Sequence, residues 1–277
     1  MSGRRALRPP SGHRPHGALR ARARRRPHPG IRLTHKGGAD FMNQTRIPDF
    51  VRQRVLAKFG TEHRFADLDP ARTALVVIDM QNGYLDPGLA HAFVPGGTDI
   101  VPNINHLAAT LRAAGGAVYW VQNASDEESR IAWSVLEESV SEAQRAARVR
   151  SMTPGSPGHA FWPGLDIRAE DMVVPKFRYS AFIPGAAKGG PDFAALLRER
   201  GIETLLITGT LTNICCETSA RDAMMLNFRV IMVSDGNAAV TDEEHNASLM
   251  NIYLTFGDVM STAEIEAAIA RKAEAAA

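Results

Sequence analysis

From Thr73 onward, short apolar runs alternate with longer amphipathic stretches, and this alternation restricts the fold more than any other feature of the chain. Strands buried on both faces of a sheet are apolar throughout, whereas half-exposed strands alternate apolar and polar residues. Regular β-α alternation makes the strands parallel and places helices on both faces of the sheet. The apolar runs lie at 74–79, 117–122, 172–176, 204–209 and 229–235. The sequence therefore predicts an α/β fold with a covered parallel sheet.

The stretches between these runs have helical periodicity and helix-end signals. Helices are predicted within 99–115, 191–201, 212–227 and 241–257. The first two stretches end on Gly115 and Gly201, and glycine is the preferred residue just after a helix. The segment 124–170 is longer, polar, and rich in proline and glycine near its end. We predict that it is a helix-bearing excursion that covers a site or contacts a partner subunit.

The first 41 residues differ in kind from the rest. Residues 1–40 contain ten Arg, one Lys and one Asp, a net charge of +10, whereas the whole chain carries +2. Segments with high charge and few apolar residues do not recover their ordering entropy. We therefore predict a disordered basic extension at 1–41 and one domain at 42–277. Two interpretations stay open for the extension: a nucleic-acid-binding arm, or, as we favour, a non-functional extension translated upstream of a natural start at Met42.

Composition argues against several classes of protein. No apolar run approaches the roughly 18 residues that span a bilayer, so we expect no membrane partner. Cys215 and Cys216 are adjacent, and adjacent cysteines do not build a disulfide framework. They fit a reducing compartment, and we expect a cytoplasmic protein. The stretch after the first apolar run lacks the Gly-x-Gly-x-x-Gly phosphate loop, which argues against a nucleotide-binding protein.

An acid, a base and a thiol follow three of the predicted strands: Asp79 ends the first run, Lys176 ends the third, and Cys215 comes shortly after the fourth. In doubly wound sheets, ligands bind outside the carboxyl ends of the strands. Each residue alone has an ordinary interpretation, as a turn residue, a solvated charge or a buried apolar side chain. Together at one rim they predict a nucleophilic site.

The two cysteines are predicted to have different roles: Cys215 is the reactive thiol, and Cys216 packs in the core. Thr212 or Asn213 is expected to cap the helix that carries both, which places Cys215 in its first turn. There the helix dipole and a nearby lysine are expected to lower the thiol pKa. Cys216 is rotated by about 100° around the helix and is expected to point into the core.

In the predicted reaction, Asp79 removes the proton from Cys215, and Lys176 tunes both groups electrostatically. The thiolate attacks an amide carbonyl, and the backbone N–H groups of Leu211 and Cys215 hold the oxyanion. Asp79 then protonates the leaving amine and activates the water that hydrolyses the thioester. None of the nine histidines lies in these three motifs, which argues against a Cys-His dyad.

Three ordered stretches resemble the isochorismatase-like cysteine hydrolases. They are "ALVVIDMQNGYLDPG" (74–88), "VVPKFRYSAF" (173–182) and "LLITGTLTNICCETSARDAMMLNFRVIMVSDGNAA" (205–239). The resemblance covers essentially all of residues 70–260. It implies a three-layer α/β/α sandwich around a six-stranded, mainly parallel sheet, and assembly into a homo-oligomer.

The same resemblance implies roles for individual residues. Asp79, Lys176 and Cys215 match the catalytic triad of the family. A cis peptide bond is implied between Thr210 and Leu211, which would turn the Leu211 N–H into the oxyanion hole. Nicotinamidases of this kind carry a metal-binding Asp-x-His-x-x-His motif after the second strand, but residues 121–130 contain no histidine. We therefore expect neither a metal nor another cofactor.

Candidate substrate-binding residues follow from the same comparison. "VQN" after the second strand and "KFRYSAF" around the lysine are similar to ureidoacrylate and related amidohydrolases, which makes Asn123 and Tyr179 candidates. Gln81 and Asp126 are two further candidates. If the acidic cluster at 126–128 lines the site, it favours a cationic substrate, such as the lactam of a streptothricin-type antibiotic that would be inactivated. The alternatives are a ureidoacrylate or carbamoyl-type amide, and a non-catalytic small-molecule-binding protein on the same fold.

Overall fold

The computed structural model describes residues 42–183 and 192–276, so the expectations for residues 1–41 lie outside the described residues. A six-stranded sheet forms the centre, with the strand order β3-β2-β1-β4-β5-β6 and parallel pairing between all neighbours. The strands are β1 (Thr73–Ile78), β2 (Ala117–Asn123), β3 (Met172–Lys176), β4 (Thr204–Thr210), β5 (Arg229–Ala238) and β6 (Asp258–Met260). The predicted α/β class and six-stranded sheet are confirmed.

Helices lie between the strands as the β-α alternation predicted, and two more precede and follow the sheet in the sequence. They are α1 (Asp49–Phe59), α2 (Asn82–Leu85), α3 (Val101–Ala113), α4 (Glu127–Ile131), α5 (Ser134–Ser139), α6 (Glu142–Met152), α7 (Phe193–Glu199), α8 (Glu217–Met225), α9 (Asp242–Asn251) and α10 (Thr262–Ala276). A 3-10 turn at Pro70–Arg72 leads into β1, and wider π-helical turns precede α8 (Thr212–Cys216) and follow α9 (Ile252–Phe256).

Two apolar cores separate the three layers, because successive strand residues point to opposite faces of a sheet. Val76 and Ile78 of β1 belong to the core covered by α1, α7, α8 and α9. Leu75 and Val77 belong to the core covered by α3 and α10. Every residue of β1 is fully buried, which explains why its sequence is apolar from Ala74 to Ile78.

The strand register brings the predicted reactive residues to one rim. Ile78 pairs with Val121 of β2 on one side and with Gly209 of β4 on the other. Gly209 has a φ of 114°, and a Cβ atom there would lie 2.0 Å from the carbonyl oxygen of Ile78. Glycine is therefore required where β4 passes closest to β1, just before the chain turns toward Cys215.

The predicted excursion at 124–170 contains α4, α5 and α6 and then a long return loop to β3. The loop is fastened to α3 and β2 through one buried carboxylate. Arg112 donates to both oxygens of Asp171, at 2.9 and 2.5 Å, and Trp120 Nε1 donates to Asp171 Oδ2 at 2.8 Å. This attachment fixes the chain immediately before the strand that ends in Lys176.

The helix after β4 differs from its prediction in one respect. The prediction capped it with Thr212 or Asn213, but Leu211 is the residue before the first turn, and no side chain caps it. The hydroxyl of Thr212 is instead hydrogen-bonded to His245 Nδ1 at 2.9 Å. Within the described ranges, no helix is both long and apolar enough to cross a membrane.

Candidate active site

Asp79 is the first residue after β1 and lies in a left-handed backbone conformation, with a φ of 56°. Aspartate adopts this conformation more readily than most residues with a side chain. Its N–H donates to the carbonyl oxygen of Val121 at 3.0 Å, so the turn stays tied to β2. Its carboxylate is fully buried and directed at the rim.

Lys176 is the last residue of β3 and crosses the end of β2 to reach Asp79. Its Nζ lies 2.7 Å from Asp79 Oδ2, 3.5 Å from Cys215 Sγ and 3.1 Å from the carbonyl oxygen of Arg178. The lysine side chain is only 1% exposed, and that of the aspartate is fully buried. The structure thus brings Asp79, Lys176 and Cys215 together as predicted.

Cys215 lies in the turn Thr212–Cys216 and is 3% exposed. Cys216 is fully buried, and its Sγ lies 3.8 Å from the carbonyl oxygen of Thr208. The two cysteines therefore divide as predicted, with one at the rim and one in the core. The peptide bond between Thr210 and Leu211 is cis, as the resemblance implied.

The predicted lowering of the Cys215 pKa is wrong for this structure. The pKa of Cys215 is raised to about 12, because burial and the neighbouring Asp79 together outweigh the opposing effect of Lys176. Burial also raises the pKa of Asp79, against the opposing effect of Lys176. Burial lowers the pKa of Lys176, but the two neighbouring groups outweigh it and the net direction is upward. The resting site therefore holds a protonated thiol beside a lysine ammonium, and it needs a base to form the thiolate.

A cavity of about 200 Å³ opens above the thiol. Cys215, Leu211 and Asn123 line it together with Tyr179, and residues of α5, α6 and the turn before α5 line it as well. The excursion therefore covers the reactive residues, which is one of the two roles predicted for it. Asn123 donates from Nδ2 to the hydroxyl of Tyr84 at 2.6 Å, so its amide faces the cavity in a fixed orientation.

Gln81, a predicted substrate-binding residue, is not on the cavity wall. It is fully buried, and its Nε2 donates to the carbonyl oxygens of Asn123 at 3.0 Å and His159 at 2.7 Å. Its Oε1 accepts from the N–H of Asn123 at 2.8 Å. The side chain uses its polar atoms to join the ends of β1 and β2 to the excursion, so the geometry gives it a positioning role.

Asp126, also predicted to bind substrate, caps α4. Its Oδ1 accepts from the N–H of Ser129 at 2.8 Å, and its own N–H donates to Ser129 Oγ at 3.1 Å. Glu127 and Glu128 follow in the first turn and are exposed. None of the three acids lines the cavity. The physical reason is that carboxylates stabilise a helix N-terminus, and this corrects the assignment of Asp126 to substrate binding.

Several cavity residues were not singled out from the sequence. Tyr84 belongs to α2 inside the first motif, and Arg178 lies inside the second motif. Trp133 and Arg148 lie in the excursion, where nothing in the linear sequence indicates which side chain returns to the rim. For Arg178, its position two residues after Lys176 could have indicated from the sequence that it lies near the site.

Metal binding is not indicated by the side chains in the described ranges. No group of three or more His, Cys, Asp or Glu residues in 42–183 and 192–276 is arranged to hold an ion. The expectation of a reaction without metal or cofactor stays a prediction.

Comparison with known proteins extends over most of the chain. A sequence model of the isochorismatase domain matches residues 73–264. Ureidoacrylate amidohydrolase RutB of Methylobacterium radiotolerans is 32% identical over 216 residues, which cover 73% of this chain and 81% of the relative. A solved cysteine hydrolase from Pseudomonas syringae pv. phaseolicola is 28% identical, with a TM-score of 0.65, over 74% of this chain and 95% of that one. The solved N-carbamoylsarcosine amidase from Thermoplasma acidophilum is 25% identical, with a TM-score of 0.55, over 69% and 96% respectively.

Proposed function

This chain belongs to the isochorismatase family, and from that premise we propose that it hydrolyses an amide C–N bond of a small molecule with Cys215 as the nucleophile. One observation carries the proposal: Lys176 Nζ contacts both Asp79 Oδ2, at 2.7 Å, and Cys215 Sγ, at 3.5 Å, beside a cavity that the thiol lines. A buried acid, base and thiol in mutual contact are costly to maintain for packing alone.

The raised thiol pKa decides how the reaction starts. Because the thiol is protonated at rest, Asp79 must accept its proton as the carbonyl group of the substrate approaches. The C–S bond forms while the carbonyl π electrons move to oxygen. The N–H groups of Leu211 and Cys215 stabilise that oxyanion.

Collapse of the oxyanion breaks the C–N bond, and Asp79 returns the proton to the leaving amine. A water molecule then attacks the thioester carbon, giving one proton to Asp79 and the hydroxyl group to the acyl product. The C–S bond breaks, and the proton on Asp79 returns to Cys215. Lys176 keeps the carboxylate charged between proton transfers and offsets the negative charge that forms on sulfur.

The substrate is proposed to be a ureido or carbamoyl amide. Two of the similar proteins support this class, because one is a ureidoacrylate amidohydrolase and the other an N-carbamoylsarcosine amidase. Opening of a streptothricin-type lactam is the alternative. It depended on an acidic wall, and Asp126 caps α4 outside the cavity, so we give it second place.

The test is mass spectrometry of a substrate panel incubated with wild type, Cys215→Ala and Cys216→Ala. The panel holds ureidoacrylate, N-carbamoyl amino acids, nicotinamide, isochorismate and a streptothricin-type lactam. We expect products one water heavier in total mass from the carbamoyl compounds with wild type and Cys216→Ala, and none with Cys215→Ala. Turnover by Cys215→Ala at the wild-type rate would contradict the assignment of the nucleophile.

A non-catalytic binding protein on the same fold predicts a different result. It would show no turnover of any compound and no covalent adduct. Acid quenching during turnover is expected instead to trap wild-type protein that is heavier by one acyl group on Cys215.

A further inference from the structure

Two arginines on the wall of the catalytic cavity lie against the same indole ring. The guanidinium carbon of Arg148, from α6, is 5.7 Å from the ring centroid of Trp133, and that of Arg178, from the loop after β3, is 5.1 Å from it. Trp133 also packs edge-on against Tyr179, with 4.9 Å between ring centroids. The indole faces favour both cations through cation–π attraction, which offsets part of the repulsion between them.

The carboxylates of the described residues do not neutralise this pair. Glu137 lies 3.2 Å from Arg148 Nη1, but it is shared with Arg145, whose Nε lies 3.1 Å from its other oxygen. Arg178 has no ion pair with a described carboxylate. Its Nη1 donates to the carbonyl oxygen of Phe177 at 2.9 Å, and its Nη2 donates to that of Ala132 at 3.2 Å.

The surrounding charges leave the cavity wall positive. Within the described ranges, no Asp or Glu lines the cavity. Asp222 and Arg221 border an adjoining depression beside Arg178, and Arg221 is paired there with Glu217 at 2.5 Å. Burial lowers the pKa of Arg178, and the charge of the neighbouring Arg148 lowers it further.

The guanidinium group of Arg178 retains hydrogen-bonding capacity. A guanidinium carries five N–H donors, and the two bonds to backbone carbonyls use two of them. Those bonds hold the planar group in place and leave donors for another acceptor. A carboxylate is the acceptor that matches a guanidinium fork in charge and geometry.

We propose that Arg148 and Arg178 form an anion subsite, and that the amide substrate carries a carboxylate that binds there while its scissile carbonyl lies at Cys215. The assignment rests on the proposed function only for the position of the amide. The subsite itself favours an anionic small molecule over a neutral or cationic one, whatever reaction follows. A polycationic lactam is repelled by this wall.

The test compares the alkylation of Cys215 by iodoacetate, an anion, with its alkylation by iodoacetamide, a neutral analogue. Both reagents attack the same sulfur, so differences in thiol pKa and access largely cancel in the ratio of their rates. Rates are measured by mass spectrometry at pH 8 and low salt in a Cys216→Ala background, with glutathione as the reference thiol. We expect the iodoacetate-to-iodoacetamide ratio to exceed that of glutathione by about tenfold, the size of one charge-assisted hydrogen bond.

Variants of single arginines test which side chain produces the preference for iodoacetate. Arg178→Met is expected to lower the ratio to near that of glutathione, and Arg148→Met to lower it less, because Glu137 already shares its charge. Arg178→Lys keeps the charge and is expected to retain much of the preference. Arg150→Met, an exposed arginine on the same helix α6, is expected to change nothing. Circular dichroism melting checks that each variant is folded.

The outcomes separate this inference from the proposed function. A wild-type ratio equal to that of glutathione overturns the anion subsite, even if the panel shows amide hydrolysis. A raised ratio that Arg178→Met abolishes supports the subsite, even if no panel compound is hydrolysed. A raised ratio that Arg150→Met lowers as much as Arg178→Met overturns the assignment to these two arginines.

Discussion

At the scale of single residues, burial has a larger effect on the thiol of Cys215 than the start of the helix does. The first turn of a helix and a nearby ammonium both favour a thiolate, typically by a few pKa units at most. Here the thiol is 3% exposed and shares its surroundings with the carboxylate of Asp79. Desolvation and a neighbouring negative charge both disfavour a second anion. The site is therefore arranged for proton transfer during the reaction and not for a preformed thiolate.

Replacing Asp79 is expected to raise the alkylation rate of Cys215 and to lower the rate of amide hydrolysis. Asp79→Asn removes the negative charge that raises the thiol pKa and leaves Lys176 beside the sulfur. Iodoacetamide should then alkylate Cys215 about ten times faster at pH 8, the effect of one pKa unit. Amide hydrolysis should fall by about 10²–10⁴-fold because the general base is lost.

The control for this prediction is Asp67→Asn, since the Asp67 side chain is 88% exposed. In wild type, the alkylation rate should keep rising with pH between 7 and 10, because the pKa of Cys215 is about 12. A plateau in the wild-type rate near pH 7, or unchanged hydrolysis in Asp79→Asn, would contradict this account of the site.

The sequence made the triad predictable, and also Asn123 and Tyr179 on the cavity wall, but not the part of the wall that the excursion supplies. Asp79, Lys176 and Cys215 each follow an apolar run, and the ends of parallel strands meet at one rim, so topology alone brings them together. Trp133 and Arg148 come from the excursion, whose path depends on tertiary packing and not on a repeated pattern. Asp126 was misassigned because the same carboxylate suits a helix cap and a pocket wall equally well.

At the scale of elements, the return loop before β3 depends on a buried ion pair. Arg112→Met should lower the free energy of unfolding by about 3–5 kcal/mol, because it leaves the buried carboxylate of Asp171 unpaired. The Arg112 side chain is 9% exposed and that of Asp171 is 2% exposed. Urea denaturation followed by circular dichroism measures the change.

Arg72→Met is the matched control for Arg112→Met. Arg72 also contacts a carboxylate, at 2.6 Å from Glu203, but the two side chains are 53% and 45% exposed. Its removal should cost less than about 1 kcal/mol. Equal losses in the free energy of unfolding for Arg112→Met and Arg72→Met would contradict the interpretation of Arg112 and Asp171 as a buried ion pair.

The attachment of β6 is expected to depend on pH. His63 Nδ1 lies 3.2 Å from Asp258 Oδ1, and its Nε2 lies 3.5 Å from Glu264. The hydrogen bond to Asp258 raises the pKa of His63 above 6.5, against the opposing effect of burial. A group whose folded-state pKa is raised stabilises the fold fully below its unfolded pKa, and loses that contribution as pH rises through the folded pKa.

His63→Gln should therefore lower the melting temperature more at pH 6 than at pH 9. Thermal unfolding of wild type and variant at the two pH values measures the difference. His106→Gln serves as the control, because the His106 side chain is 69% exposed. A His63→Gln effect that is larger at pH 9 would have the wrong sign for this ion pair.

The short elements were the least predictable from the sequence. β6 has only three residues and includes Asp258, so it has no apolar run to recognise. The turn Thr212–Cys216 was expected to be a regular first turn with a side-chain cap. Its wider helical geometry depends on the preceding backbone and on contacts such as that between Thr212 and His245, and neither leaves a signal in local sequence.

At the scale of the whole molecule, charge is divided unevenly along the chain. Residues 1–40 carry +10, and the remaining residues carry −8. If the basic segment is a nucleic-acid-binding arm, then we expect it to supply the binding to DNA at low salt, because the remaining residues carry a net charge of −8. If it is a non-functional extension, its removal changes neither binding nor activity.

Two truncations define where the folded domain begins. The segment after Met42 is held by specific contacts: Asn43 Oδ1 accepts from the N–H of Ala239 at 2.8 Å, and its Nδ2 donates to Asp242 at 3.2 Å. Asn43 is buried, and Thr45 Oγ1 contacts the carbonyl oxygen of Ser234 at 3.4 Å. Removal of residues 1–41 leaves these bonds intact, whereas removal of residues 1–48 breaks them.

We therefore expect the protein lacking residues 1–41 to match the full chain in free energy of unfolding, within about 0.5 kcal/mol, and in the rate of amide hydrolysis. The protein lacking residues 1–48 should be less stable by about 1–3 kcal/mol, because buried partners such as the N–H of Ala239 lose their hydrogen bonds. Urea denaturation, hydrolysis assays and retention on a DNA column at low salt measure the three properties. A loss of stability already on removal of residues 1–41 would place the domain boundary before Met42. Retention of DNA by the protein lacking residues 1–41 would exclude the basic segment as the source of that binding.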